Sequence, residues 1–519
     1  MKRDEMISRI SETTETWDFI VIGGGATGVG VAIDAASRGY QVLLLEQSDF
    51  AKGTSSRSTK LIHGGVRYLQ QGNISLVLEA LEERGLLLEN APHLVHNLQF
   101  IVPRYDWWEG PFYGIGLKLY DMLAGKKGFG KSKLLSTEET CEHLPTIETK
   151  ELRGGIVYHD GQFDDSRLVI DMVKTAVEQG ATMVNYFKVS GISKKNDHVN
   201  GVIAQDLESG KEHQLKAKVV VNATGVFSDG VRKMDDKKAA DIIQPSQGVH
   251  IVLDKAFLPG DSAIMVPHTE DGRVLFAIPW HDRVVVGTTD TPVSNTDLEP
   301  RPMEEELEFL LSHAAKYLTK DPKPGDVLSA FAGLRPLVKA DEGSSTAALS
   351  RDHTINISLS GLITIAGGKW TTYRRMAQDT VNQAAVIAQL EHSNCVTREL
   401  RIHGYHKNAQ KFGELAVYGS DAPKLKDLLR ENKKYKELLH PKLSIYAGEV
   451  VWAAREEMAR TVEDFLARRT RALLLDAKAS MEIAPQVADL MAAELKMKRA
   501  WKKDQVKQYQ DLAQGYLVS

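Results

Sequence analysis

Residues 18–46 read DFIVIGGGATGVGVAIDAASRGYQVLLLE, and this stretch decides the predicted fold. Apolar residues at 19–22 predict a strand, small residues from Ala26 to Gly39 predict a helix, and apolar residues at 42–45 predict a second strand that ends at Glu46. A strand, a glycine turn, a helix and a strand in this order form a βαβ unit. The stretch therefore predicts an α/β protein with a parallel sheet.

The glycine turn carries the spacing G-x-G-x-x-G at Gly23, Gly25 and Gly28. The first glycine of this pattern permits a tight turn, the second lets the backbone approach a pyrophosphate, and the third lets the helix pack on the strand. The helix N-terminus adds free amide groups and a partial positive charge. Glu46 lies where an acidic side chain binds a ribose hydroxyl. We therefore expect a dinucleotide site.

Composition excludes several classes of function. The 519 residues exceed the size of one core, so we expect two or three domains. A net charge of −4 with no strongly basic region argues against a nucleic-acid partner. The only cysteines, Cys141 and Cys395, have no metal-binding spacing, so we expect neither a disulfide nor a bound metal.

The distribution of apolar residues predicts no membrane-spanning helix. Residues 1–17 are too polar for the core of a secretory signal. No uninterrupted apolar run approaches the roughly 18 residues that a spanning helix needs. We therefore expect a cytoplasmic protein, or one that attaches to a membrane without crossing it.

Residues 107–133 have a different character from the rest of the chain. One predicted helical face carries apolar, aromatic and small residues, namely Phe112, Ile115, Gly116, Leu119, Tyr120 and Leu123. Trp107 and Trp108 precede this face, and lysines at 126, 127, 131 and 133 follow it. The pattern fits a helix that lies on an anionic membrane surface. It also fits an ordinary helix whose apolar face meets the protein core.

The loop after Glu46 offers hydroxyls, a cation and close backbone approach to a phosphate. The residues that we expect to contact the cofactor here are Ser55, Ser56, Thr59, Lys60 and Gly65. A second cofactor contact is predicted at the end of the apolar strand 218–222, which runs into Asn222-Ala223-Thr224-Gly225. Two-dinucleotide-type flavoproteins often end a returning strand in A-T-G, where a glycine can lie against the cofactor. This motif favours FAD over NAD.

The remaining segments predict the other parts of the fold. Short strands between residues 247 and 290 predict a mixed sheet over the flavin, and a helix follows at 304–318. The turn at Gly367 and Gly368 precedes another helix and brings Lys369 toward the flavin. Beyond residue 393 the pattern predicts several helices, of which residues 449–470 are the clearest.

Together these motifs resemble the aerobic FAD-dependent glycerol-3-phosphate dehydrogenases. The resemblance rests on GGGATGVG, SSRSTKLIHGGVRYL, NATG, GTTD, GLRPL, SRDH and GGKWTTYR, which occur in this order between residues 18 and 375. It implies a two-dinucleotide-type FAD-binding doubly wound domain, an interleaved mixed β-sheet substrate domain and a C-terminal helical domain. We place the FAD-binding domain at 1–75, 152–235 and 360–392, the substrate domain at 76–151 and 236–359, and the helical domain at 393–519.

The resemblance also implies a reaction and its partners. The family oxidises sn-glycerol 3-phosphate to dihydroxyacetone phosphate and passes electrons through FAD to a membrane quinone. Peripheral association with the cytoplasmic face of the membrane and a homodimer are implied as well.

The substrate is a small dianion, so its phosphate should meet fixed cations and hydroxyl donors. By motif, the predicted substrate-binding residues are Arg67, Tyr68, Arg335, Arg351 and Lys369. His63 and His250 are the alternative general bases, because an imidazole pKa lies near working pH. Arg335 and Lys369 are expected to act in catalysis too. His63, Ala223, Gly225, Gly368 and Lys369 complete the predicted cofactor contacts.

Three other functions remain open at this stage. A glycerol-3-phosphate oxidase would run the same half-reaction with oxygen as acceptor. A related amine or amino-acid oxidase would attack a C–N bond instead. A flavin-bound sensor or assembly factor without turnover would use the C-terminal helices as its working surface.

Overall fold

The structure is a computed structural model of the chain. It describes residues 1–12, 16–65, 73–106, 109–125, 128–267, 269, 273–339 and 353–518, and it leaves out the side chains of residues 109–113 and 115. The strands, in chain order, are β1 (Trp17–Ile22), β2 (Val42–Leu45), β3 (Leu61–Ile62), β4 (Val95–Pro103), β5 (Lys133–Leu135), β6 (Gly155–Phe163), β7 (Thr182–Val184), β8 (Phe187–Lys195), β9 (His198–Asp206), β10 (Glu212–Asn222), β11 (Ile243–Asp254), β12 (Ala263–Val266), β13 (Leu275–Trp280), β14 (Arg283–Gly287), β15 (Thr291–Pro292), β16 (Val327–Val338), β17 (His353–Ile357), β18 (Ile363–Gly367), β19 (Leu438–His440) and β20 (Leu443–Tyr446).

The α-helices lie before, between and after these strands. They are α1 (Arg3–Glu12), α2 (Ala26–Ser37), α3 (Ile74–Asn90), α4 (Glu109–Ala124), α5 (Thr137–His143), α6 (Asp165–Glu178), α7 (Ser228–Asp235), α8 (Glu304–Tyr317), α9 (Tyr373–Ile387), α10 (Ala422–Glu431), α11 (Ala447–Glu456), α12 (Ala472–Leu475), α13 (Ala477–Glu494) and α14 (Arg499–Gln514).

The first sheet has the strand order β17-β18-β10-β1-β2-β7. Strand β1 pairs in parallel with β10 on one side and with β2 on the other. Beyond them, β10 pairs in parallel with β18, and β2 pairs in parallel with β7. The strands β1 and β2 are almost fully buried, as expected for a parallel sheet covered by helices. The βαβ unit and the predicted α/β fold class are confirmed.

Helix α2 begins at the predicted residue, Ala26, but ends at Ser37. Gly39 follows with φ +91°, a left-handed conformation that terminates the helix. The helix is rich in small residues, and a Cβ placed on Gly30 would lie 2.9 Å from the ring of Tyr373 in α9. Small side chains therefore let α2 lie close to the neighbouring helix.

The second sheet is mixed and has the order β15-β11-β14-β13-β12-β4-β6-β3, with β16 added at β11 and β5 at β6. Only the β4–β12 pair is parallel among the described pairings of this sheet. Strands β3 and β6 belong to it, although the predicted boundaries put both in the first domain. The chain thus crosses into the second sheet earlier than its sequence pattern indicated, and the division into domains stays a prediction.

The C-terminal segment is mainly helical and packs against the second sheet. Its apolar core includes Val252, Trp280 and Phe331 from that sheet. A two-stranded hairpin, β19-β20, was missed by the sequence pattern. The predicted helix at 449–470 is wrong as one element, because α11 ends at Glu456 and Met458 has φ +51°. The buried Glu457 instead bonds Arg167 of α6 at 2.9 Å, an ion pair that a continuous helical pattern does not reveal.

Helix α4 covers most of the segment with the predicted membrane-surface pattern. Tyr120 is 1% exposed and packs with Val77 and Leu81 of α3, whereas Leu119 and Met122 are 40% and 77% exposed. The tryptophans at 107 and 108 and the lysines at 126 and 127 lie outside the described residues. One side of α4 therefore meets the protein and membrane contact stays a prediction. In the described part of the chain, no helix is long and apolar enough to cross a membrane.

Candidate active site

The glycine turn after β1 is as tight as its spacing predicts. Gly23 has φ +110°, and a Cβ on it would lie 2.6 Å from the carbonyl oxygen of Ala223. A Cβ on Gly28 would lie 2.0 Å from the carbonyl oxygen of Gly23. Gly25 caps α2, and a Cβ there would approach the Ser55 hydroxyl to 3.0 Å. These residues leave a bare backbone surface at the N-terminus of α2, which fits a pyrophosphate.

The Gly28→Ala variant should lose FAD and stability together. The added methyl group cannot fit without moving α2 away from β1, because the nearest atom belongs to the backbone. We expect about 1–3 kcal/mol lower unfolding free energy, typical of overpacking, and substoichiometric flavin after purification. Chemical denaturation and flavin absorbance measure both. Gly230→Ala in α7 is the control, since its Cβ would meet nothing within 4 Å. Normal flavin content in Gly28→Ala would contradict the assignment of the turn.

Glu46 shapes the same turn. Its carboxylate accepts hydrogen bonds from the amides of Gly24 at 2.6 Å and Ser48 at 2.8 Å. Burial raises the pKa of Glu46, while these two amides act in the opposite direction. The carboxylate thus joins the backbone of the glycine turn to the loop that follows β2. Its contact with a ribose stays a prediction.

The loop after β2 reaches the same helix N-terminus. The Ser55 hydroxyl accepts a hydrogen bond from the amide of Ala26 at 2.9 Å, and the Ser55 carbonyl accepts one from the indole of Trp370 at 3.0 Å. Ser56 is buried, and Gly65 has φ +77° at the cavity wall. The loop therefore places Ser55 at the N-terminus of α2 and Gly65 at the cavity.

Lys60 is placed differently from the prediction. Its ammonium is fully buried and bonds Asp165 at 2.7 Å and the carbonyl of Ser56 at 2.9 Å. Burial lowers its pKa to about 8 despite the charge of Asp165. The side chain thus points into the protein, behind the loop, and it is not available as a cation for a phosphate.

A cavity of about 470 Å³ lies at the second sheet, beside the loop after β2 and the turn after β18, and is the candidate substrate site. This volume is in the range of small-molecule pockets. Its lining includes predicted residues from several segments: Thr59, His63, Gly65, His250, Arg335, Gly368 and Lys369. Residues that are far apart in the sequence therefore meet at one place.

His250 of β11 forms part of the cavity wall and is 2% exposed. Its Nε2 shares a hydrogen bond of 2.9 Å with the Thr59 hydroxyl, and its ring stacks on Phe331 with centroids 4.9 Å apart. A Cβ on Gly287 would lie 2.1 Å from the imidazole, so only glycine fits beside it. Burial, with the charges of Lys60 and Arg335, lowers the pKa of His250 well below 6.5. The imidazole is therefore neutral at neutral pH.

The Nδ1 atom of His250 is buried and has no hydrogen-bond partner among the described residues. Buried polar atoms of this kind are rare, and each calls for an explanation such as an absent ligand.

Arg335 of β16 faces the same cavity from the neighbouring strand. Its guanidinium pairs with Asp290 at 3.1 Å and bonds the Thr288 hydroxyl at 3.2 Å. A Cβ on Gly248 would lie 2.5 Å from this guanidinium. The side chain is 24% exposed, so its planar fork is fixed but open to the cavity.

The other predicted residues fall into three groups. His63 and Lys369 are half-buried at the cavity, and the turn beside Lys369 has φ +75° at both Gly367 and Gly368. Gly225 has φ +59° and open space beside it, at the end of β10. Arg67, Tyr68 and Arg351 lie outside the described residues, so their roles stay predictions.

Several cavity residues were missed from the sequence: Arg57, Tyr158, Asp160, Arg273, Thr288 and Asp290. The GTTD motif could have indicated Thr288 and Asp290, since it directly follows the apolar strand β14. Arg57 lies within the motif SSRSTKLIHGGVRYL, which could have indicated it too. Tyr158 and Asp160 lack such an indication, because only the strand pairing decides which face of β6 meets the cavity.

Comparison with known proteins places this arrangement in a family. A family model described as FAD dependent oxidoreductase matches residues 18–374, and one described as the C-terminal domain of alpha-glycerophosphate oxidase matches residues 354–505. The mitochondrial glycerol-3-phosphate dehydrogenase of Homo sapiens is 42% identical, over 95% of this chain and 72% of its own length. The Arabidopsis thaliana enzyme is 41% identical, over 96% of this chain and 86% of its own length.

Solved structures agree with these sequence matches. The glycerol-3-phosphate dehydrogenase from Bacillus halodurans, complexed with FAD, superposes with a TM-score of 0.81 at 31% identity, over 99% of this chain and 97% of the other. The L-alpha-glycerophosphate oxidase from Mycoplasma pneumoniae, with FAD bound, has a TM-score of 0.59 at 17% identity, over 75% of this chain and 98% of the other. The second match shows a shared fold alone.

Fold, glycine turn and cavity together define an FAD-dependent oxidoreductase, and FAD is its cofactor. The turn at Gly23–Gly28 and the loop from Ser55 to Gly65 are the residues that fit FAD. Within this class, the chain belongs to the FAD-dependent glycerol-3-phosphate dehydrogenase family.

Proposed function

We propose that this protein oxidises sn-glycerol 3-phosphate to dihydroxyacetone phosphate, with hydride transfer from C2 to FAD and a membrane quinone as final acceptor. One observation carries the proposal: a fixed guanidinium and a neutral imidazole face one cavity from adjacent strands, beside the predicted flavin contacts. Strands β11 and β16 are paired, with His250 opposite Phe331 and Ser246 opposite Arg335. A dianionic alcohol needs a cation and a proton acceptor arranged in this way. The names of the relatives support this substrate.

Arg335 binds the substrate phosphate in this proposal. A planar guanidinium can donate two parallel hydrogen bonds to a phosphate, which a lysine cannot match. Asp290 on one side and Thr288 on the other keep the fork from rotating. Lys369, at the turn after β18, contributes a second positive charge to the same wall.

His250 accepts the proton of the C2 hydroxyl. Its lowered pKa keeps the imidazole unprotonated, so the acceptor is present at neutral pH. Thr59 and Phe331 hold the ring in one orientation. His63 is the alternative base, because it also lines the cavity.

Bound FAD supplies the two-electron acceptor for this oxidation. Quinone reduction, a homodimer and peripheral contact with the cytoplasmic face of the membrane complete the proposal. The exposed Leu119 and Met122 of α4 support membrane contact, because apolar side chains on one helix surface can enter the lipid interface.

Anaerobic mixing tests the proposed reaction. Adding sn-glycerol 3-phosphate to the purified FAD-loaded protein should bleach the visible flavin absorbance. Glycerol, the enantiomeric phosphate and a panel of amino acids should leave it unchanged. Bleaching by amino acids instead would favour an amine or amino-acid oxidase, and no bleaching by any of these compounds would overturn the proposal.

An oxidase is the second candidate function. The family model that matches residues 354–505 is described as the C-terminal domain of alpha-glycerophosphate oxidase, and this description favours an oxidase. Turnover with a quinone analogue in air, with little hydrogen peroxide, supports the dehydrogenase. Peroxide formed in step with substrate loss would identify the oxidase.

A further inference from the structure

The loop at residues 54–60 is held from behind by the C-terminal helical segment. Its front carries Ser55 at the N-terminus of α2 and Thr59 at the cavity wall. Between them, the carbonyl oxygen of Ser56 points into the protein and accepts two cationic donors. These are Nη2 of Arg471 at 2.6 Å and Nζ of Lys60 at 2.9 Å.

Arg471 is the member of this pair that comes from the C-terminal segment. It is 2% exposed and precedes α12 with φ +62°, a backbone conformation that is uncommon for a residue other than glycine. Its guanidinium also bonds the carbonyl of Ala467 at 2.9 Å and the carboxylate of Asp165 at 3.0 Å. The side chain thus ties the C-terminal segment to the cofactor loop and to α6 at once.

Asp165 is the shared partner beneath the loop. Its Oδ2 accepts hydrogen bonds from the amide and the hydroxyl of Ser58, at 3.1 Å and 2.7 Å, and pairs with Lys60. Its Oδ1 pairs with Arg471. This fully buried carboxylate therefore fixes the backbone at Ser58, between Ser56 and Thr59.

The same contacts reach the proposed base. Thr59 bonds Nε2 of His250, and the ammonium of Lys60 lies 5.1 Å from the ring centre of Phe331, on which His250 stacks. A shift of Ser56 would move Ser55 away from α2 and Thr59 away from His250. Fixing one carbonyl oxygen thus orients a cofactor contact and a catalytic contact together.

We propose that Arg471 is a positioning residue through which the C-terminal helical segment holds the flavin loop and the Thr59–His250 pair in place. The inference rests on the proposed function only for the role of His250. The hold on FAD rests on the family assignment and on the predicted cofactor contacts of this loop.

The test compares Arg471→Met with Arg167→Met. Both arginines are 2% exposed and lie at the contact between the C-terminal segment and α6. After either substitution, the carboxylate partner, Asp165 or Glu457, still pairs with a second cation. Asp165 keeps Lys60 at 2.7 Å, and Glu457 keeps Arg469 at 3.8 Å. Only Arg471 touches the loop, so the two variants should lose similar stability while differing at the flavin.

The measured quantities are the dissociation constant of FAD, from the fluorescence of released flavin, and the thermal midpoint. Arg471→Met should weaken FAD binding about tenfold, equal to about 1.4 kcal/mol, and should alter the visible band of the bound flavin. Arg167→Met should lower the thermal midpoint without either change. Arg471→Lys should restore part of the affinity, since an ammonium keeps the positive charge and the donors that Ser56 and Asp165 accept from Arg471.

Equal FAD affinity in Arg471→Met and Arg167→Met would overturn the positioning role. If the methionine variants do not fold, the pair Arg471→Lys and Arg167→Lys gives the same comparison. A failed bleaching test in the unaltered protein would refute the proposed substrate but would leave the flavin-affinity result intact. The two failures are therefore distinguishable.

Discussion

Replacing Arg335 with methionine is expected to raise the KM for glycerol 3-phosphate by about 10²–10⁴-fold. The change removes two charge-assisted hydrogen bonds to the phosphate, each contributing about 1.5–3 kcal/mol, and about 1.4 kcal/mol corresponds to a factor of ten. It also leaves Asp290 at the cavity wall without the guanidinium that lies 3.1 Å from it. The exposed carboxylate would then repel the substrate dianion.

Steady-state kinetics with the phosphate substrate measures this effect. The double variant Arg335→Met/Asp290→Asn should recover part of the loss, because the repelling charge is removed. Arg301→Met is the control, since Arg301 stacks on Tyr516 outside the cavity lining. An unchanged KM in Arg335→Met would show that the phosphate binds elsewhere.

Replacing His250 with glutamine should lower kcat by about 10²–10⁴-fold, the usual contribution of general-base catalysis. KM should change little, because the phosphate contacts remain. Anaerobic flavin reduction in a stopped-flow instrument isolates the step. His63→Gln is the matched comparison, and a larger loss of rate in that variant would transfer the role to His63.

The pH dependence follows from the lowered pKa of His250. The imidazole must be unprotonated to accept a proton, so kcat should stay level through neutral pH and fall only at a pH well below 6.5.

The free energy of unfolding should also decrease as the pH falls. Below about pH 6.5 the unfolded chain binds a proton at this histidine and the folded chain does not, so His250 destabilises the fold as the pH falls. His250→Gln should flatten that part of the stability profile.

The first βαβ unit shows what local sequence can predict. Gly23 has φ +110° within its turn, Gly28 is required by its contact with the backbone of Gly23, and α2 begins at the predicted residue. Such features depend on neighbours in the chain, so spacing and side-chain size are sufficient to indicate them.

Lys60 shows where local sequence is misleading. A lysine in a serine-rich loop beside a nucleotide turn resembles a phosphate ligand, yet its ammonium is buried against Asp165, more than one hundred residues away. The interrupted helix after Glu456 has the same kind of cause, since Glu457 pairs with Arg167. In both cases a long-range charge pair overrides the local pattern.

By itself, the sequence determined the α/β class, the dinucleotide turn and the family motifs, because these depend on short-range periodicity and on residue types at set spacings. Only the tertiary structure decided that Thr59 meets His250, that Asp290 holds Arg335, and that Arg471 supports the cofactor loop. Those contacts join strands and loops whose partners are chosen by sheet pairing and by burial of charge. Neither is encoded in the spacing of neighbouring residues.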